Sequence, residues 1–205
     1  MLYIATVEPH TLGLLNRLMR ETQLAEFNLV GGTALSLQIG HRKSVDLDLF
    51  SHTNFEASDI LDFLHDANYQ VQVRFSKKNT LIVDIEGVKI DFIHFRYPFA
   101  EPVQLIDDIR LAHIADIACM KIDAIAGRGK RKDFYDLYCI LQIYDLTTIM
   151  EWYAKMYRHS TLFHIYKSLT WFDDAENDAE IDAFEHKVPW EIVKSYISKA
   201  VEDAL

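Results

Sequence analysis

The sequence predicts an α/β (α+β) fold: a mixed β-sheet with flanking helices, followed by a C-terminal helical bundle. Two observations carry that expectation. Through about residue 100 the apolar residues switch repeatedly between a period of two and a period of 3.6. Beyond Tyr97-Pro98 and Glu101-Pro102 the helical period continues almost without a break. The pattern divides the chain into an α/β domain over 1–100 and a helical domain over 101–205.

The elements follow in order. Leu12, Leu15 and Met19 make one stripe of a helix over 8–22. Phe27–Val30 reads as a short strand running into Gly31-Gly32, Thr33–Ile39 as a short helix stopped by Gly40, and Val45–Phe50 as a strand with strict alternation. An amphipathic helix over 56–67 precedes three extended runs, 70–76, 80–86 and 88–95, separated by Lys77-Lys78-Asn79 and Glu86-Gly87. Helices are then expected at 107–126, 133–143, 147–157, 160–170 and 189–203, with an acidic loop around 173–180.

Composition excludes several classes of protein. The chain has 205 residues, half hydrophobic and a quarter charged, which is ordinary globular stock. No apolar run is long enough to span a bilayer, and the first twenty residues lack the order of a secretory signal, so a cytoplasmic location and no membrane partner are expected. Cys119 and Cys139 are too few for a disulfide scaffold or zinc site and are read as buried free thiols. The formal charge of −10 excludes a general nucleic-acid coat. It is unevenly spread, with a basic cluster at Arg128–Lys132 and seven acids between Asp173 and Glu185. That acidic stretch is either a solvated loop or a docking surface for a basic partner.

Chemistry is concentrated in the first half. On the strand 45–50, Asp46 and Asp48 point to one face, while Val45, Leu47 and Leu49 point to the other. Like charges so placed repel, and a cation between them resolves the conflict. Upstream, Gly31-Gly32 follows a strand and opens a helix, so backbone N–H groups can approach a phosphate with no Cβ in the way. A third carboxylate on an apolar strand, Asp91, would complete a two-metal site, with Asp84 one strand earlier as its rival. Farther on, Lys121 sits in the apolar stripe of Ile114, Ile117, Ala118 and Ile125, where it either snorkels to water or reaches a buried anion.

Gly31-Gly32-Thr33-Ala34-Leu35, then His41-Arg42-Lys43-Ser44-Val45-Asp46-Leu47-Asp48, together with Lys121 and Lys132-Asp133-x-x-Asp136-Leu137, resemble the AbiEii/AbiGii toxin family of polymerase-β-like nucleotidyltransferases. The likeness covers roughly residues 25–145. It implies a metal-dependent transfer of a nucleoside monophosphate from an NTP to an acceptor hydroxyl, with Mg²⁺ or Mn²⁺ as cofactor. By the resemblance, Asp46, Asp48 and Asp91 are catalytic metal ligands and Lys121 and Asp136 complete the catalytic set, Asp136 finishing the site or acting as a base. Gly31, Gly32, Thr33, Arg42, Ser44 and Lys132 would bind nucleotide, Lys132 being the alternative to Lys121 at the phosphates. The helical domain would complete the active-site cleft. The acceptor implied is RNA, a tRNA 3′ end, and the chain would be the toxin of a type IV-like toxin–antitoxin or abortive-infection pair with a cognate antitoxin. Acceptors of other kinds, an aminoglycoside-like small molecule or a protein side chain, and a degenerate nucleotide-binding module are the competing expectations. Neither the nucleotide nor the oligomeric state follows from the sequence.

Overall fold

A computed structural model describes residues 1–158, 161–184 and 187–205. The chain forms two compact units. One comprises Met1–Ile39, Lys43–Pro98 and Pro102–Ala112, and the other Gly40–Arg42, Phe99–Glu101 and His113–Leu205.

The first unit is built on a seven-stranded mixed sheet of β1 (Asn28–Val30), β2 (Leu47–Ser51), β3 (Val71–Lys77), β4 (Thr80–Ile85), β5 (Val88–His94), β6 (Gln104–Ile106) and β7 (Ile109–Leu111). Their order is β3-β4-β5-β2-β1-β7-β6, parallel at β2/β5 and β1/β7 and antiparallel elsewhere. Alternation sets the faces. Leu47 and Leu49 of β2, Leu81, Val83 and Ile85 of β4, and Ile90 and Phe92 of β5 are all buried, so the residues between them share the opposite face. Around the sheet lie α1 (Pro9–Arg20), α2 (Gly31–Ile39) and α3 (Ala57–Asp66); α1 lies against β7, α2 against β1 and β2, and α3 against β3.

Three boundaries differ from expectation. β2 begins at Leu47 rather than Val45, so Asp46 lies ahead of the strand and Val45 is exposed instead of turned to the core. α2 begins at Gly31 rather than Thr33, directly off β1 with no intervening loop. The helix expected from 107 begins only at Ile114, because residues 104–111 form the β6–β7 hairpin. Its two-residue turn is Asp107-Asp108, with φ of 51° and 63°. Both residues of a type I′ turn need positive φ, which aspartate tolerates better than most side chains. Arg110 then ties the hairpin down, its guanidinium donating to the carbonyls of Phe27 (2.9 Å), Met19 (2.8 Å) and Leu24 (3.0 Å).

The second unit is helical: α4 (Ile114–Arg128), α5 (Arg131–Ile140), α6 (Leu146–Met156), α7 (Leu162–Leu169) and α8 (Trp190–Ala204). His113 caps α4 by accepting from the Ala115 N–H at 3.1 Å, and Gly129 ends it in the left-handed conformation at φ 53°. Asp145 caps α6 through the Thr148 N–H at 2.8 Å. The core joins Ile117, Ile122, Phe134, Leu137, Ile149, Tyr153, Val193 and Ile197. Cys119 and Cys139 are free, and burial pushes both thiols up to about 12. The first residue of the helix expected over 160–170, His159 beside it, and the last of the acids ending at Glu185 lie outside the described residues. No helix among the described residues is long and apolar enough to cross a membrane.

Candidate active site

The carboxylates of the first unit lie on the sheet face opposite the core. Asp48 and Asp91 are register partners across the parallel β2/β5 pair, which puts them side by side about 5 Å apart in backbone terms. Asp46 lies two residues ahead of Asp48, just before β2 begins. Asp84, the rival of Asp91, is one strand farther from β2 and is held in a two-point ion pair by Arg74, with Nη2 to Oδ1 at 2.7 Å. That hydrogen bonding holds its carboxyl below the usual range, so the register favours Asp91 as the neighbour of Asp48.

Gly31 stands against Asp48. Its φ is +68°, and a Cβ built there would overlap the Asp48 carboxylate. The N-terminus of α2 therefore abuts Asp48 as closely as the backbone allows. Gly32 is buried in the same first turn. Thr33 and Ser44 are buried as well, their hydroxyls 2.8 Å apart, and the Thr33 hydroxyl also donates to the carbonyl of Asp46. The Ser44 N–H reaches the Thr6 carbonyl at 3.0 Å. Both hydroxyls are thus spent in fixing the chain that leads to Asp46 and Asp48.

A hard divalent cation suits these donors, which are carboxylate oxygens only, beside the positive end of a helix dipole. Among the described residues, however, no three His, Cys, Asp or Glu side chains are gathered closely enough to cage a metal. Asp91 is turned to Lys89, whose Nζ lies 2.6 Å from Oδ1.

The family described as "Nucleotidyl transferase AbiEii toxin, Type IV TA system" matches residues 13–194, which includes the sheet, Gly31-Gly32 and all three carboxylates. The chain belongs to the AbiEii nucleotidyltransferase toxin family. An uncharacterized protein of Aquifex aeolicus (strain VF5) is 36% identical over 189 residues, 88% of each chain. In fold, this AbiEii-family enzyme is similar to MenT4, a nucleotidyltransferase toxin of Mycobacterium tuberculosis H37Rv, with a TM-score of 0.60 and 15% identity over 94% of this chain and 82% of that one. It is also similar to the antibiotic-resistance factor ANT(2'')-Ia, with a TM-score of 0.57 and 14% identity over 78% of this chain and 99% of that one.

The second unit of this nucleotidyltransferase holds a buried ion cluster. Asp136, fully buried on α5, accepts from His41 Nε2 (2.7 Å), from Arg42 Nε (2.6 Å) and Nη2 (2.9 Å), and pairs with Lys121 Nζ at 2.6 Å. Asp133, one turn earlier, takes Lys121 at 2.9 Å and Arg128 Nε at 2.9 Å. Lys121, Arg42, Asp133 and Asp136 are therefore brought together. Burial alone would raise the Asp136 pKa, but the charges of Arg42 and Lys121 hold it well below the carboxylate range. Burial likewise favours a neutral Lys121, and Asp136 and Asp133 override it to raise its pKa. The base role expected of Asp136 conflicts with this geometry, because a carboxylate held so far down, with both oxygens engaged, is a poor proton acceptor at neutral pH. Lys121 neither snorkels nor stands alone: it reaches two buried anions. Lys132 stays outside the cluster, exposed on the first turn of α5.

Sequence reasoning missed three groups. Lys89 was detectable, since it lies two residues from Asp91 on a period-two strand. Arg74 is the extra residue where the β3/β4 register shifts, and its alternation with Val73 and Phe75 hides that. His41 stands in the family-like motif, but nothing local marks its role, because its partner Asp136 is 95 residues away. The basic cluster and the acidic stretch, separate in sequence, meet in the fold: the Arg131 N–H donates to Asp178 at 2.9 Å and its guanidinium to the Ala175 carbonyl at 3.1 Å.

The cluster fixes a pH dependence of stability. Burial lowers the His41 pKa below its ordinary value of about 6.5, against the pull of Asp136, so the unfolded chain takes up that proton first. Stability is then expected to fall as the pH drops below about 6.5. A second fall is expected below about 4, as acid reaches the depressed carboxyls of Asp133 and Asp136. Urea midpoints measured across the range from neutral to acid should show both stages. His41→Gln, which keeps a donor toward Asp136 but does not titrate, should abolish the first stage only.

Proposed function

We propose that this nucleotidyltransferase transfers a nucleoside monophosphate from an NTP, with Mg²⁺ or Mn²⁺, to the 3′-terminal hydroxyl of an RNA of tRNA type, as the toxin of a toxin–antitoxin pair. The observation that carries the reading is the Asp48–Asp91 register pair set against the N-terminus of α2. Bound cations would neutralise the triphosphate and lower the pKa of the acceptor hydroxyl. Asp46 and Asp48 would hold them on the nucleotide side, and Asp91 would hold the one nearest the acceptor. The N–H groups of Gly31, Gly32 and Thr33 would orient the β and γ phosphates, as helix N-termini do for anions. The acceptor oxygen forms a bond to the α-phosphorus, the bond to the β-phosphate oxygen breaks, pyrophosphate leaves, and the acceptor's proton passes to solvent. The Thr33 and Ser44 hydroxyls would act indirectly, by fixing the segment that presents Asp46 and Asp48. The family's description as a type IV toxin supports the antitoxin, and exposed Lys130 and Lys132 supply local positive charge for a phosphate-bearing acceptor in an acidic chain.

The test is incubation with Mg²⁺, each α-labelled NTP in turn and total bacterial RNA. Label is expected in a tRNA-sized band with the preferred NTP and is expected to vanish with Asp46→Ala/Asp48→Ala. Label on an aminoglycoside or a protein, and none on RNA, would replace the acceptor. No transfer to any of them would leave a nucleotide-binding module instead.

A further inference from the structure

Lys89 has no part in the chemistry proposed above, yet it holds one of the carboxylates on which that chemistry depends. It lies two residues before Asp91 in β5, hence on the same face, with Nζ 2.6 Å from Asp91 Oδ1. It is also the direct cross-strand partner of Asp84 in the antiparallel β4/β5 pair. Such partners have Cβ atoms about 5 Å apart, within the swing of a four-carbon side chain. Asp84 is fixed in place by the Arg74 fork from the irregular point of β3. The exposed face therefore carries Arg74, Asp84, Lys89, Asp91 and Asp48 as a run of alternating charge that ends in two adjacent carboxylates. An ammonium and a divalent cation both seek Asp91 Oδ1, and one oxygen cannot serve both at full strength.

We infer that Lys89 is an internal competitor for the metal: its ammonium neutralises Asp91 until a divalent cation binds, and then moves across to Asp84. The inference rests on the proposed metal role of the carboxylate face. It explains why an enzyme face with three carboxylates carries a lysine among them, and it gives the Arg74–Asp84 pair a purpose, which is to keep an ionised berth ready for the displaced ammonium. Lys89 and Asp91 side chains are 29% and 15% exposed, and ion pairs at such sites add little stability. Metal affinity is therefore the quantity that Lys89 moves.

The experiment is Mn²⁺ titration of the full chain without nucleotide, with free Mn²⁺ read by electron paramagnetic resonance and folding checked by thermal unfolding. Lys89→Met is expected to bind Mn²⁺ about fivefold more tightly than the wild type, with an unchanged melting temperature. Asp84→Asn, which removes the berth, is expected to weaken binding severalfold. In an Asp91→Asn background the Lys89→Met change should have no effect. Unchanged or weaker binding in Lys89→Met overturns the inference while leaving the metal site standing. If neither the wild type nor Lys89→Met binds Mn²⁺, the metal reading of the carboxylate face falls, and this inference with it.

Discussion

Asp136→Ala is expected to destabilise the protein by about 3–5 kcal/mol, a large share of the roughly 5–15 kcal/mol that holds an ordinary domain folded. The size of the effect comes from what the alanine leaves behind. Arg42 and Lys121 are both buried, at 7% and 5% exposure, and both point charge at the Asp136 carboxylate. Removing that carboxylate takes from Arg42 its two-point acceptor and from the His41 ring N–H its partner, and leaves Lys121 with Asp133 alone, and breaking a buried ion pair from one side costs more than the worth of the pair itself. Lys121→Met should cost less. It leaves Asp136 with the two-point Arg42 interaction and the His41 contact, and Asp133 keeps Arg128. Urea unfolding of the two variants beside the wild type checks the order. Equal losses would mean that the cluster is not centred on Asp136.

Gly31→Ala is expected to leave the fold largely intact and to lower transfer activity by on the order of 10²-fold or more. Two effects combine. An alanine at φ +68° costs about 1–2 kcal/mol in backbone strain, a tolerable loss. The methyl group, however, meets the Asp48 carboxylate, and either that carboxylate or the first turn of α2 must move. A displacement of about 1 Å at a carboxylate that orients reacting groups costs far more in rate than in stability. The label-transfer assay, read together with thermal unfolding, separates the two. A Gly31→Ala protein with wild-type activity would mean that the contact between Asp48 and the helix start has no catalytic consequence.

Much of this arrangement was legible in the chain, for a physical reason. Alternation with period two is a local property, so the strands bearing Asp48 and Asp91 could be read directly, whereas Asp46 and exposed Val45 precede β2 and take no place in its alternation. The Gly31-Gly32 pair announced a close backbone approach, though not that Asp48 is the group approached. Register is not local. That Asp48 faces Asp91 follows from a parallel pairing between strands far apart in the chain, which periodicity does not encode. The turn and second strand of the β6–β7 hairpin fall within the helix expected over 107–126, because the apolar spacing of that helix runs on upstream, while the turn uses Asp107-Asp108 in place of the usual glycine or asparagine. The buried cluster was half visible: Lys121 stood out in an apolar stripe, but its pairing with Asp133 and Asp136, and theirs with His41 and Arg42, is a product of tertiary packing.

Whether Asp48 and Asp91 are the metal-holding pair of the transfer site is tested most directly by crystals grown with Mn²⁺ and a non-hydrolysable NTP analogue, through the anomalous signal of manganese. A manganese peak in contact with both carboxylates is expected, with Lys89 withdrawn from Asp91 and the triphosphate against the N-terminus of α2. An analogue bound elsewhere, or manganese that touches neither Asp48 nor Asp91, would contradict that assignment.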